Sequence, residues 1–253
     1  MRKKDFLILV GLLAFLPALS AQQTIPSGTV LPVALRGLLS SSSSRPGQTV
    51  KARLMQSVPS AGLKVGAKVV GHVVSVAPAS GGAMAAITLE FDKVEASGRS
   101  IPIVADLRAL ASPFEVEQAQ IPLTGPDRGT PEEAWETVQV GGDVVYRGGG
   151  PVMENALKVG EPVANGVLVR LQAGANASCR ASLDGNNEPQ ALWVFSANAC
   201  GTYGYSDVSI THAGRTNPSG QITLSSSTGN VTLRGGSGML LLVVGGNSNP
   251  PHA

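Results

Sequence analysis

Aromatic residues are scarce in this chain, at 4%, and charged residues reach only 14%. Histidine occurs three times and cysteine twice. There is no Gly-x-Ser-x-Gly elbow, no His-Glu-x-x-His and no phosphate-binding loop. There is also no Gly-x-Gly-x-x-Gly following a strand. These absences remove the recognisable signatures of serine hydrolases, zinc proteases and nucleotide-binding enzymes. Long apolar runs are missing too. The longest at the N-terminus, Phe6 to Leu16, falls short of the ~20 residues that span a bilayer.

What the N-terminus does hold is a targeting pattern. Arg2, Lys3 and Lys4 precede that apolar run, Pro17 breaks it, and Ala18-Leu19-Ser20 places small residues where a signal peptidase cuts. Residues 1–20 therefore read as a secretory signal peptide, with an uncleaved N-terminal anchor as the alternative. The leader carries three of the 19 basic residues and, at Asp5, one of the 17 acidic ones. The remainder has 16 of each and no net charge, so nothing electrostatic points to nucleic acid. Export makes the cysteine pair informative. Cys179 and Cys200 are expected to form one disulfide, worth roughly 3 kcal/mol on the chain-entropy model. Two free thiols are the alternative, and no metal centre is expected there, because no further Cys or His is close in sequence.

Glycine (31 residues) and proline (17) punctuate short Val-rich runs, the composition of an all-β protein with many turns. Val30–Leu35 reads as a strand, one that Pro32 assigns to a sheet edge or a bulge. Thr49–Met55 alternates, with Lys51 and Arg53 outward. Lys64–Val76 is filled with valine and bends at Gly66 and Gly71. Ala86–Val94 has the clearest period of two: Ile87, Leu89 and Phe91 on one side, Thr88, Glu90 and Asp92 on the other. Ser100–Leu107 follows. Residues 21–110 are thus expected to form a small β-barrel, and closure would remove exposed edges.

The pieces Ile25-Pro26-Ser27-Gly28-Thr29-Val30, Leu38-Leu39-Ser40-Ser41 and Pro46-Gly47-Gln48-Thr49-Val50 occur in a familiar order. With Val65 to Gly71 and Leu89-Glu90-Phe91-Asp92, this segment resembles the C-terminal β-barrel domain of the TrbI-like family, found in conjugal-transfer and type IV secretion cores. The resemblance covers residues 25–105. It implies a β-barrel and a place in the cell envelope. Members of that family usually carry an inner-membrane helix, a Pro-rich periplasmic arm and a helical hairpin. Here residues 1–20 read as a signal peptide in place of that helix, with no long Pro-rich arm and no apolar helical pair, so a free-standing exported relative is expected.

Residues 111–164 are expected to be a linker with one short helix from about Pro131 to Val138, because Thr130-Pro131-Glu132-Glu133 has the form of a capping box. A β-sandwich is expected over 165–246, with strands at 167–171, 178–183, 191–196, 208–212, 221–225, 230–233 and 239–244. Met239–Val244 is apolar on both faces and must be a central buried strand. A tail over 247–253 should be disordered.

No catalytic, cofactor-binding or metal-binding set is assigned. His72 sits in a strand, where a packed or rim position explains it, although Asp92 is an acid it could meet. His212 ends a strand and His252 lies in the tail. Asp184 to Glu188 offers oxygens at alternate positions but lacks the glycine and glutamate of a calcium loop, so it reads as a turn. Glu115, Glu117, Glu132, Glu133 and Glu136 read as a solvated face. Trp193, Tyr203 and Tyr205 are candidates for stacking on sugar if one sheet gathers them; core filling is the competing explanation. The expectation is an exported, non-enzymatic envelope protein, in the periplasm, at the cell surface or outside. Its partner would be an envelope protein or a polysaccharide. A secreted carbohydrate-binding module is the alternative.

Overall fold

The computed structural model describes residues 24–120, 135–140, 142–147, 152–154, 157–163, 166–169, 191–196, 199–211 and 219–245. The leader, Cys179, the 178–183 strand, the 184–188 turn, His212, His252 and the tail lie outside them. The chain is all-β. Its strands are β1 (Val30–Arg36), β2 (Leu39–Ser40), β3 (Thr49–Leu54), β4 (Lys68–Ala77), β5 (Ala85–Ala96), β6 (Arg99–Pro102) and β7 (Val104–Ala111). The helix α1 (Pro113–Gln118) follows, then β8 (Trp135–Gln139), β9 (Gly142–Arg147), β10 (Val152–Glu154), β11 (Leu157–Val163), β12 (Gly166–Val169), β13 (Ala191–Leu192) and β14 (Phe195–Ser196). Last come β15 (Gly201–Tyr203), β16 (Val208–Ile210), β17 (Ile222–Ser226), β18 (Thr232–Leu233) and β19 (Gly238–Gly245).

One 10-stranded sheet runs β15-β7-β19-β1-β3-β4-β5-β17-β16, with β6 added to β5. The expected division into a barrel at 21–110 and a separate sandwich at 165–246 does not match this pairing. β19 lies between β1 and β7, with Val30 opposite Leu242 and Ala109 opposite Leu240. β17 continues the sheet beyond β5, with Thr223 opposite Thr88 and their hydroxyls 3.0 Å apart. The described C-terminal strands complete the N-terminal sheet. The physical reason is edge pairing: β1 and β7 are apolar strands whose open backbone groups need a partner. The sheet's two outermost strands, β15 and β16, are joined by a short turn and by Thr202 Oγ1, which donates to the Val208 carbonyl at 2.8 Å.

β19 explains its own composition. Met239, Leu241 and Val243 enter the main core with Leu31, Leu54, Val69, Ile87, Leu89 and Leu107. Leu240, pointing the other way, enters a second core with Val116, Val140, Val194 and Phe195. A strand buried on both faces can be apolar throughout.

Three local expectations are corrected. Pro32 does not place β1 at an edge. It lies just past the β1–β3 ladder, which starts at Val33 opposite Leu54, so its missing N–H leaves no ladder bond broken. Its carbonyl still accepts from the Met55 amide at 2.9 Å. Of the helix expected at Pro131–Val138, residues 131–134 lie outside the described residues and Trp135–Gln139 is strand β8; the described helix is at Pro113–Gln118. Ser112-Pro113-Phe114-Glu115 has the same cap form, and Ser112 Oγ accepts from the Glu115 amide at 3.3 Å. Trp, Thr and Val after residue 134 favour strand over helix. Finally, 191–196 is not one strand. Trp193 at φ +62° and Val194 turn β13 back onto β14 as a tight hairpin.

Candidate functional site

Strands β3, β4 and β5 show why one face of the sheet carries the polar chemistry. In β3 every second residue is buried, leaving Thr49, Lys51 and Arg53 outside, as the alternation predicts. β4 buries Val69, Gly71 and Val73 and turns Val70, His72 and Val74 outward. β5 buries Ile87, Leu89, Phe91 and Val94.

The β4–β5 pairing shifts register twice, between Val70 and Gly71 and between Val73 and Ser75, on either side of His72. Val70 stands opposite Lys93 and Gly71 opposite Phe91, so Asp92 is an extra residue in β5, a β-bulge. Its carbonyl accepts from the Ile103 amide at 2.9 Å as β6 gives way to β7. Bulges re-aim side chains. Here the result is that Glu90, directly opposite His72, and Asp92 both flank the imidazole. His72 Nδ1 lies 3.0 Å from Asp92 Oδ2, and Nε2 lies 3.9 Å from Glu90 Oε2. The three side chains are between a third and a half exposed.

Further along, Lys93 Nζ pairs with Glu95 Oε1 at 3.0 Å, and the hydrogen bond from Lys93 holds the Glu95 carboxyl below its ordinary pKa. A cleft of about 550 Å³ opens at that end of the face, between the turn before β4 and the β5–β6 turn. Lys64, Lys68, Glu95 and Arg99 line it. The face therefore runs from an acid–imidazole cluster to a basic cleft. No helix among the described residues is long and apolar enough to cross a membrane.

The aromatic candidates are placed differently. Trp193 packs edge-on to Phe195, ring centroids 6.4 Å apart, and both Trp193 and Tyr203 pack against the second core. The Trp193 amide donates to Gln56 Oε1. Tyr205 packs against the main core. Trp193 and Tyr203 thus lie against the second core and Tyr205 against the main core. Both phenol hydroxyls are also engaged. Tyr203 Oη donates to the Cys200 carbonyl at 2.8 Å, and Tyr205 Oη lies 2.7 Å from Ser237 Oγ. Burial, as the largest cause, raises the pKa of both. A phenol whose folded pKa is raised stabilises the fold fully below its unfolded value of about 10, and that contribution is lost as pH rises through the folded value. We expect denaturant stability to fall above pH 10, with Tyr203→Phe and Tyr205→Phe each flattening the fall. An unchanged slope in both variants would show these phenols to ionise freely.

Asp92 is the one acid that the sequence singles out for His72, and the structure brings the two together. Glu90 reads in the sequence only as an outward residue of an alternating strand. Its position across from His72 depends on register, which a single strand's pattern does not reveal. Of the five acids expected on a solvated face, Glu115 and Glu117 lie on α1, away from the acid–imidazole cluster in the chain. Cys200 is buried, and among the described residues no cysteine is a free thiol. No protein-family model, curated protein or solved structure matches this chain significantly.

Proposed function

We propose that this is an exported, non-enzymatic protein of the cell envelope that works by presenting the outward face of β3, β4 and β5 to a protein partner. The observation that carries the reading is the concentration of charged groups on that face. Lys51, Arg53, Lys68, Glu90, Asp92 and Glu95 stand on adjoining, hydrogen-bonded strands. Elsewhere the described strands spend most of their side chains on two aliphatic cores. A rigid sheet that holds alternating charges in register is suited to recognition, since complementary charge sets specificity and encounter rate. The export half rests on the leader pattern, and the envelope assignment on the resemblance of residues 25–105 to the TrbI-like barrel. The carbohydrate-binding alternative receives less support, because Trp193, Tyr203 and Tyr205 give their rings to two different cores.

The test is cell fractionation with mass measurement of the recovered protein. The expected species begins after Ser20 and is found in the periplasmic or secreted fraction. It should also lack two alkylatable thiols, because we propose that Cys200 pairs with Cys179. A cytoplasmic protein with its leader intact would end the proposal. An exported protein with two reactive thiols would remove the disulfide alone.

A further inference from the structure

The pairing of β4 with β5 does more than display charge. It brings one imidazole and two carboxylates to a point: each of His72, Glu90 and Asp92 offers one ligand atom, and the three atoms lie within 4.8 Å of one another. We propose that His72, Glu90 and Asp92 form a binding site for a divalent transition-metal ion of the zinc class, with water completing the coordination. This goes beyond the interaction role and does not depend on it.

The chemistry of the donors selects the ion. A neutral imidazole nitrogen suits zinc, copper, nickel and iron, while magnesium and calcium prefer all-oxygen sets. The geometry is close to what is needed. Zinc–nitrogen and zinc–oxygen bonds of about 2.0–2.2 Å place neighbouring ligand atoms of a tetrahedral ion roughly 3.3 Å apart. Asp92 Oδ2 stands 3.0 Å from Nδ1 and Glu90 Oε2 stands 3.9 Å from Nε2, on opposite sides of the ring, so only one of these separations is a ligand edge for a given nitrogen; one atom from each of the three residues lies within 4.8 Å of the others. Rotation of the exposed carboxylate side chains toward the ring nitrogen that meets the ion would bring three donors onto it. The ring nitrogen that meets the ion supplies its lone pair, and the imidazole proton sits on the other nitrogen. Two carboxylates neutralise the dication.

The backbone fixes all three donors on a sheet and not on a loop. His72 and Glu90 are cross-strand partners, which holds their Cβ atoms about 5 Å apart. Asp92 is the bulge residue that joins them. The bulge is itself locked in place, because Gly71 lies against the Glu90 backbone too closely for any other residue. The site is partly exposed and supplies three protein ligands, so it should exchange its ion readily.

Calorimetric titration of the tag-free, metal-stripped chain with zinc chloride tests this. We expect saturable binding of one ion that raises the melting temperature and is reversed by EDTA. His72→Ala and Asp92→Asn should each weaken it by at least about tenfold, the scale on which even outer partners of metal ligands act. Far-UV circular dichroism confirms that the variants fold. If a variant does not fold, the imidazole resonances of the wild-type protein supply the readout: the His72 signals should shift on adding zinc. No saturable binding at millimolar zinc would overturn the proposal. So would binding that His72→Ala leaves unweakened, or zinc that leaves the His72 resonances unmoved.

Discussion

A fragment ending at Ser112, with β1 to β7 but without β15 to β19, is expected not to fold as a cooperative unit. By length and pattern this segment reads as a domain of its own. Its sheet, however, has β19 inserted between β1 and β7 and β17 paired to β5. The C-terminal region contributes Val208, Ile222, Leu224, Val231, Leu233, Met239, Leu241 and Val243 to the main core. Burying one such side chain is worth about 1.5–3 kcal/mol. Removing eight costs more than ~10 kcal/mol, comparable to the whole net stability of an ordinary domain. The fragment would also expose the long apolar edges of β1 and β7, which invite aggregation. Circular dichroism melts and amide NMR dispersion, compared with the whole chain, provide the measurement. A sharp two-state melt and dispersed spectra from the fragment would restore the reading of two independent units.

The alternation of Thr49–Leu54 is legible because one face meets the core and the other meets solvent; in Ala85–Ala96 it is legible at Ile87, Leu89 and Phe91, while Thr88 is buried and the bulge at Asp92 shifts the phase so that Val94 is buried. The stretch Met239 to Val243, buried except for the half-buried Leu242, is legible for the opposite reason: every residue in it is apolar. The partner of that strand was not legible. Val30 and Leu242 are about two hundred residues apart, and local pattern holds no information about which edge a strand completes. The helix position is not fixed by the cap signal alone. Ser112-Pro113-Phe114-Glu115 and Thr130-Pro131-Glu132-Glu133 carry the same cap signal, and only the residues after each cap decide between them. The turn at Trp193 was hidden because neither Trp193 nor Val194 is a turn-forming residue type. At the candidate site the sequence offered His72 and Asp92 as neighbours, but the bulge that places Glu90 and Asp92 on both sides of the imidazole has no glycine or proline of its own to mark it.

Gly71→Ala is expected to destabilise the protein by ~3 kcal/mol, the upper part of the range for overpacking a filled interior. Gly71 resembles a bend residue in the sequence, yet its φ does not lie in the left-handed region, so conformational freedom is not what requires it. Space is. A Cβ there would stand 1.9 Å from the Glu90 carbonyl oxygen, 2.8 Å from Phe91 Cα and 2.9 Å from the Glu90 carbonyl carbon. All three are backbone atoms of the paired strand, so no side-chain rotation relieves the clash. β4 must move away from β5, at the point where the bulge carries Asp92 and where Val69, Val73 and Phe91 fill the main core. For a chain of this size, ~3 kcal/mol lowers the melting temperature by roughly 6–12 °C. Gly229→Ala supplies the control, since that glycine has open space around its Cβ position and no left-handed φ. Its stability should stay level or rise slightly, through the lost entropy of the unfolded chain. Equal, small effects at both positions would mean that the strands can part at Gly71 without cost, and would remove the lock on which the geometry of His72, Glu90 and Asp92 depends.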